Sequence, residues 1–476
     1  MNSSQTQKLS LAALSALVVG SMVGAGIFAL PSAFGRATGV LGALIAWAIA
    51  GVGMLMLALV FQNLATRKPD LDAGVYAYAK AGFGNYLGFA SALGFWAGSC
   101  VGNVSYWVLI KSTLGGFFPI FGDGNTVTAV VISSILLWGF HYLILSGVKE
   151  AAGLNTIVTI AKIVPIVVFI VVVIWGFKGH IFSQNFYGAD DPDAGGIISQ
   201  VRRTMLVTVF VFLGIEGASV YSRYAKNRAD VGIATVLGFL GVLCLLMLVT
   251  ILSYGVIPRS ELGALRNPSM AGVLEAVIGP WGAKFVSAGL IVSVLGAYLS
   301  WTLLAAEVLW SAAKNSTMPS FLASENEKKV PAAALWLTSG IIQLFLILTL
   351  FAEYAFKVAL ELTSSLSLIP YLLVAGYGLK LAVTKETYDL GSKTRNRDLV
   401  IAGIATAYSL LMLIAGGTKY LLLAALVFAP GTILYYLARR EQKAPIFTTR
   451  EWGVFSVLTV AAIVAIYAIT TGGISI

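Results

Sequence analysis

Charge is what this sequence most lacks: only 11% of its 476 residues are Asp, Glu, Lys or Arg, against roughly 25% in a soluble domain. A chain so poor in charge cannot cover a water-facing surface, and with 58% hydrophobic residues it belongs in a bilayer. Histidine is scarcer still. His141 and His180 are the only two, neither has a carboxylate at zinc-ligand spacing, and no phosphate-binding glycine loop is present. The sequence therefore disfavours an enzyme and calls for no metal and no cofactor. His180 reads as a solvated loop residue and His141 as an interfacial one. Cys100 and Cys244 both lie in apolar runs, so neither a disulfide scaffold nor a thiolate metal site is expected, and both read as packing residues. The opening MNSSQTQKLS is short and polar with no small-residue cleavage site after the first apolar run, so that run reads as a retained span. No interleaving of aromatic and basic residues marks a nucleic-acid binder.

What is present is a succession of long uncharged runs. Stretches of about 20 apolar residues fall near 10–32, 40–64, 84–114, 126–146, 151–177, 201–221, 232–257, 282–312, 331–352, 355–382, 399–416, 419–438 and 453–471. That predicts an all-α polytopic membrane protein of about 13 spans with short loops and no soluble domain. About twenty Lys and Arg fall in the loops on the N-terminal side and about ten on the other. The largest loop on that other side reads GADDPDAGG, with Asp190, Asp191 and Asp193. Cytoplasmic loops are enriched in Lys and Arg, so the N-terminus is expected in the cytoplasm, and the net charge of +10 is a topology signal.

Two of the runs carry residues that break helices. The first contains SMVGAGIFALP, with Gly24, Gly26 and Pro31, and the sixth contains FVFLGIEGAS, with Gly214 and Gly217 flanking Glu216. In lipid a helix is broken only where protein, water or a ligand satisfies the freed backbone groups. Glycine-interrupted spans at corresponding places, first and sixth, are the pattern of a five-plus-five inverted repeat with a transport site at the midplane. Unwinding at Gly24-Ala25-Gly26 leaves N–H groups suited to a carboxylate. The alternative reading is that small residues simply let helices approach.

Ionisable residues inside spans are costly and point to function. Lys162, Glu216, Glu307 and Glu361 qualify. Glu216, between two glycines, reads as a gating or substrate-sensing carboxylate. Lys162, about eleven residues into its span, reads as a proton carrier or a fixed stand-in for a coupling cation, with a snorkelling side chain as the alternative. Glu307 falls in the cytoplasmic third of its span, where pairing with a loop cation would account for it. Glu361 precedes LTSSLSLIP, whose Thr363, Ser364, Ser365 and Ser367 can face a cavity or their own helix.

The motif GAGIF in the first span, GNVSY in the third, GIEGAS in the sixth and SWTLLAAE in the eighth resemble the amino acid–polyamine–organocation superfamily. Within it, RKPDLDAGVYAYAKAGFGNYLGF (67–89) and GVKEAAGLNTIVTIAKIVPI (147–166) are similar to bacterial basic amino acid antiporters, especially arginine:ornithine antiporters. The resemblance covers nearly the whole chain.

It implies a ten-helix core at residues 1–382, with halves at 10–177 and 201–382, followed by additional helices at 383–476. It implies that backbone around Val23, Gly24, Ala25, Gly26 and Ile27 takes a substrate carboxylate, and that carbonyls near Phe210 and Leu213 take the α-amino group. Asn103 would meet the polar head group or cationic end, Trp301 the middle gate, and Glu216 the sixth-span glutamate position. Lys162 matches a lysine that in some relatives replaces a sodium ion. Two positions depart from the pattern: Phe210 stands where related arginine antiporters carry a tryptophan, and Tyr106 where some relatives carry a smaller or thioether side chain. Phe210, Tyr106 and Trp301 offer π faces to a guanidinium, and Glu216 a carboxylate. The expected function is exchange of a cationic amino acid, arginine, for ornithine across a bacterial cytoplasmic membrane, with small cationic amino acids and membrane lipids as the only partners. Proton-coupled uptake by the same fold is the alternative, and a channel is disfavoured because continuous polar rings are missing. Small residues serve internal packing and dimer faces alike, so the oligomeric state is left open.

Overall fold

The computed structural model describes residues 10–71, 74–147, 152–188, 195–216, 228–352, 354–388 and 393–474, without the side chains of residues 13, 17, 152–161, 228, 229, 231 and 393. Among the described residues every regular element is helical. The helices are α1 (Leu11–Met22), α2 (Leu30–Ala37), α3 (Val40–Arg67), α4 (Val75–Phe83), α5 (Asn85–Gly115), α6 (Val127–Leu145), α7 (Ala152–Trp175), α8 (Gly179–Gln184) and α9 (Ile197–Val211). After them come α10 (Arg228–Ser253), α11 (Arg259–Ala264), α12 (Ser269–Ile278), α13 (Pro280–Lys314), α14 (Ala332–Leu348), α15 (Ala355–Thr384), α16 (Lys393–Ala415), α17 (Gly417–Glu441) and α18 (Thr449–Thr470). Ten are long and apolar enough to cross a membrane, or eleven when α1 and the bent segment after it count as one span. The two further expected spans are the fifth and sixth, represented by α7 and the 15-residue α9, and parts of both lie outside the described residues at 148–151 and 217–227. The loop with Asp190, Asp191 and Asp193 also lies outside them. Sequence reading missed the short helices α4, α8, α11 and α12, which are too brief to show an apolar period.

α5 is the centre of the molecule: nearly all of its 31 residues are buried, and it packs most extensively against α15 and α13. Small residues make that closeness possible. A Cβ on Gly94 would stand 2.9 Å from the Leu366 carbonyl oxygen, and one on Gly98 would stand 2.8 Å from Ser367 Oγ. Glycines four apart let α15 lie directly on α5, where dispersion between closely matched surfaces substitutes for the hydrophobic effect that lipid cannot supply. At the periphery α18 buries only Ala462 and Ala465. Its first turn is fixed by a capping box between Thr448 and Glu451, and Glu451 Oε1 also accepts the Tyr86 backbone N–H at 2.9 Å, tying α18 to the start of α5. The exposed faces carry large apolar side chains such as Val457, Val460 and Ile463, the surface expected against hydrocarbon.

One sequence expectation is corrected here. His141, near the end of α6, is 1% exposed, its Nδ1 lies 2.9 Å from Ser339 Oγ, and its ring packs against Trp336. The α6–α14 contact takes in a polar pair that satisfies Nδ1, whereas Nε2 is buried with no hydrogen-bond partner among the described residues. Cys244 is exposed on α10, whereas Cys100 is buried on α5. His180 is exposed, on the short α8.

Candidate functional site

The chain leaves α1 at Met22, passes through Gly24 in extended conformation, and enters a 3-10 turn at Ala25–Ala29 before α2, with a 45° bend across the break. Pro31, in the first turn of α2, has no N–H to leave unsatisfied there. The first N–H groups of the turn that opens at Ala25 have no intrahelical acceptor. The end of α9 packs against this bend. α9 stops at Val211, and the chain turns through Phe212–Glu216 with Gly214 at φ +101°, a conformation that favours glycine. Ser21 Oγ donates to the Gly214 carbonyl oxygen at 2.9 Å. A Cβ on Gly26 would stand 2.6 Å from Val211 Cγ1, and one on Gly214 would stand 2.7 Å from the Ser21 carbonyl oxygen. The glycines are thus required by the contact between the two interrupted segments.

Against these segments lies a narrow cavity. Gly24, Gly26, Ile27, Asn103, Tyr106, Phe210, Leu213, Glu216 and Trp301, all singled out from the sequence, line it. Val23 and Ala25 are buried in the same turn without lining it, and Gly217 lies outside the described residues. Lys162 is elsewhere: its Nζ donates to the Gly20 carbonyl oxygen at 2.9 Å, near the C-terminal end of α1. Sequence reasoning passed over Ser21, Met22, Phe95, Ser99 and Tyr371, which also line the cavity. No local pattern marks them, since they are ordinary span residues until packing turns them inward.

The polar groups are few and differ in state. Asn103 Nδ2 donates to Thr302 Oγ1 at 3.1 Å, whereas its Oδ1 is buried with no hydrogen-bond partner among the described residues, as is Thr363 Oγ1. Glu216 Oε2 accepts from Tyr371 Oη at 2.7 Å. Tyr106 Oη is 2.9 Å from where a Cβ on Gly24 would stand, and the Phe95 and Trp301 rings lie with centroids 6.4 Å apart. A buried polar atom left unpaired is costly, so an unfilled amide oxygen, an unpaired hydroxyl, one carboxylate and several π faces can together receive hydrogen-bond donors that carry positive charge. The hydroxyl run after Glu361 divides. Thr363 and Ser367 line the cavity, while Ser364 bonds to the Leu206 and Leu360 carbonyls and Ser365 to that of Tyr420. Glu307 is exposed on α13.

Polar contacts join α4 to the C-terminal end of α13 and the turn after it. Tyr76 Oη lies 3.1 Å from Ser311 Oγ and accepts from Asn315 Nδ2 at 2.8 Å, and Lys80 Nζ donates to the Asn315 carbonyl oxygen and to Thr317 Oγ1. Burial raises the Tyr76 phenol above its ordinary value, and burial with Arg439 nearby lowers the Lys80 ammonium below its own. On the opposite side, one helical turn further along α9 and α15, a wider cavity of about 1430 Å³ opens to solvent. Glu361 belongs to that outer cavity and not to the central one.

A profile of the amino acid permease family matches residues 9–433. The chain belongs to that family. It is therefore a multi-pass membrane transporter and not an enzyme. Among relatives, a Pseudomonas aeruginosa protein named arginine/ornithine antiporter is 53% identical over 99% of each chain. A Corynebacterium glutamicum protein named L-lysine transport protein is 41% identical over 99% of this permease and 97% of its own length. A Chlamydia pneumoniae protein named arginine/agmatine antiporter is 38% identical over 99% of each.

Proposed function

We propose that this permease exchanges arginine for ornithine across a bacterial cytoplasmic membrane by alternating access, with its N-terminus in the cytoplasm. The central cavity carries the reading. It combines the broken backbone at Gly24–Ile27 with the unfilled Asn103 Oδ1, the unpaired Thr363 hydroxyl, the Glu216 carboxylate, and the rings of Phe210, Tyr106 and Trp301. The full-length similarity to proteins named for arginine and ornithine supports the substrate pair.

In this reading residues 1–382 form a five-plus-five core with halves at 10–177 and 201–382, and residues 383–476 add helices at its edge. The substrate carboxylate takes the N–H groups around Val23, Gly24, Ala25, Gly26 and Ile27. Carbonyls at Phe210 and Leu213 take the α-amino group, and the side-chain cation reaches Asn103 and the aromatic faces. Arginine and ornithine both carry one net positive charge, so one-for-one exchange moves no net charge, and the potential, worth about 2.3 kcal/mol per charge per 100 mV, does not drive it. The contacts that join α4 to α13 and the outer cavity open to solvent support an outward-facing state. Glu216, held by Tyr371, gates the second break, and Lys162, bonded to the Gly20 carbonyl, serves as the fixed cation that braces α1. Proteoliposomes loaded with ornithine should take up labelled arginine with the pH gradient collapsed, and empty vesicles should not. Gradient-driven uptake into empty vesicles would replace exchange by proton coupling.

A further inference from the structure

The outer cavity has a charge that its proposed cargo does not explain. Among the described residues lining it are four cations, Arg36, Arg202, Arg203 and Lys357, and a single carboxylate, Glu361. They come from α2, α9 and α15 and meet only through the fold. The four cations are exposed to the solvent in the cavity, and Glu361 is buried in its wall, facing Lys357 and Lys419. Two of the guanidiniums are held in place: Arg202 Nε donates to the Ala415 carbonyl oxygen at 3.1 Å, and Arg36 donates from Nη1 to that of Gly263 at 3.0 Å and from Nη2 to Ser32 Oγ at 3.4 Å. Each has five N–H donors, so these bonds leave donors to spare.

Among the described residues that excess of positive charge opposes any incoming cation. It opposes a dication without a carboxylate more strongly than a monocation that carries one, because the carboxylate can turn toward the arginines. A guanidinium matches a carboxylate in charge and in planar geometry. The cavity also lies on the route inward, with Leu206, Val207 and Leu360 in its lining and Phe210, Val211 and Thr363 of the central cavity one turn deeper.

We propose that this outer cavity is a second substrate subsite, in which Arg202 and Arg203, with Arg36 and Lys357, hold the α-carboxylate of an arriving amino acid and so admit amino acids in preference to the amines formed by their decarboxylation. The proposal rests on the exchange reading above and adds to it the group by which the outer face selects. Ornithine-loaded proteoliposomes test both, with the KM for external arginine and the inhibition constant of external agmatine measured for the wild type, Arg202→Gln/Arg203→Gln, Arg202→Lys/Arg203→Lys and Lys357→Gln. The double glutamine variant should raise the arginine KM about tenfold, the scale of a lost charge-assisted hydrogen bond. It should leave agmatine inhibition unchanged or stronger, with the saturated rate retained. The double lysine variant should recover most of the preference, and Lys357→Gln should shift it in the same direction by a smaller factor. Raised ionic strength should weaken the wild-type preference.

An arginine-to-agmatine ratio that stays within about twofold of wild type, well short of the tenfold expected, overturns the subsite and leaves the exchange reading standing. A parallel rise in both constants with a fall in saturated rate also overturns it, and makes Arg202 an anchor for the Ala415 turn. A wild type that exchanges no arginine overturns the exchange reading and the subsite together.

Discussion

Gly26→Ala is the sharpest test of the idea that the two interrupted segments are built against each other. An ideal Cβ at Gly26 stands 2.6 Å from Val211 Cγ1 and 2.8 Å from Phe210 Cδ1, whereas carbon atoms pack best at roughly 3.5–4.0 Å. Neither neighbour can swing away: Val211 is 3% and Phe210 7% exposed, and Val211 is branched at Cβ. The added methyl must therefore push the end of α9 away from the turn after α1 by somewhat under about 1 Å. Overpacking of this kind costs about 1–3 kcal/mol, which is about five- to 150-fold in the population of the closely packed state. Ornithine-dependent arginine uptake should fall, or the arginine KM rise, within that range, while the amount of inserted protein is unchanged. Gly241→Ala and Gly403→Ala, where a Cβ meets nothing within 4 Å, are the controls and should behave as wild type. The second-site change Val211→Ala removes the clashing methyl and should restore part of the loss in Gly26→Ala, a coupling that a double-mutant cycle measures. Wild-type KM and rate in Gly26→Ala, or the absence of any rescue by Val211→Ala, would refute the reasoning.

Two further predictions concern single polar groups. Asn103→Ala removes the unfilled Oδ1 from the cavity and should weaken arginine binding by about 1–3 kcal/mol, read as a rise in KM and in the dissociation constant measured in detergent; equal binding would remove Asn103 from the site. Lys162→Ala takes the donor from the Gly20 carbonyl and should lower thermal stability by about 1–3 kcal/mol. Uptake by that variant should still require internal ornithine, and a new dependence on the pH gradient would contradict a bracing role.

Much of the architecture is legible in the chain because hydrocarbon imposes a length on every run that crosses it. The ends expected for the second and third spans, 40–64 and 84–114, lie within a few residues of Val40–Arg67 and Asn85–Gly115. Pro331 and the Gly279-Pro280 pair stand where α14 and α13 begin. The interruption near Gly24 and Gly26 is visible as two glycines and a proline close together in one apolar run, since in lipid freed backbone groups need partners.

Side-chain direction is another matter, because an apolar helix carries no polar stripe to say which face is inside. His141 turns inward onto Ser339 of α14, and Cys244, read as packing, faces outward. Thr363 and Ser367 turn to the central cavity while Ser364 and Ser365, between them, do not. Local sequence therefore determined that the chain crosses a membrane many times and where it breaks, since both follow from the solvation of one segment at a time. Tertiary packing alone decided that Gly26 meets Val211, that Asn103 presents an unfilled acceptor, and that Arg36, Arg202 and Lys357 share one cavity. Those facts depend on distances between segments far apart in the chain, which no single segment encodes.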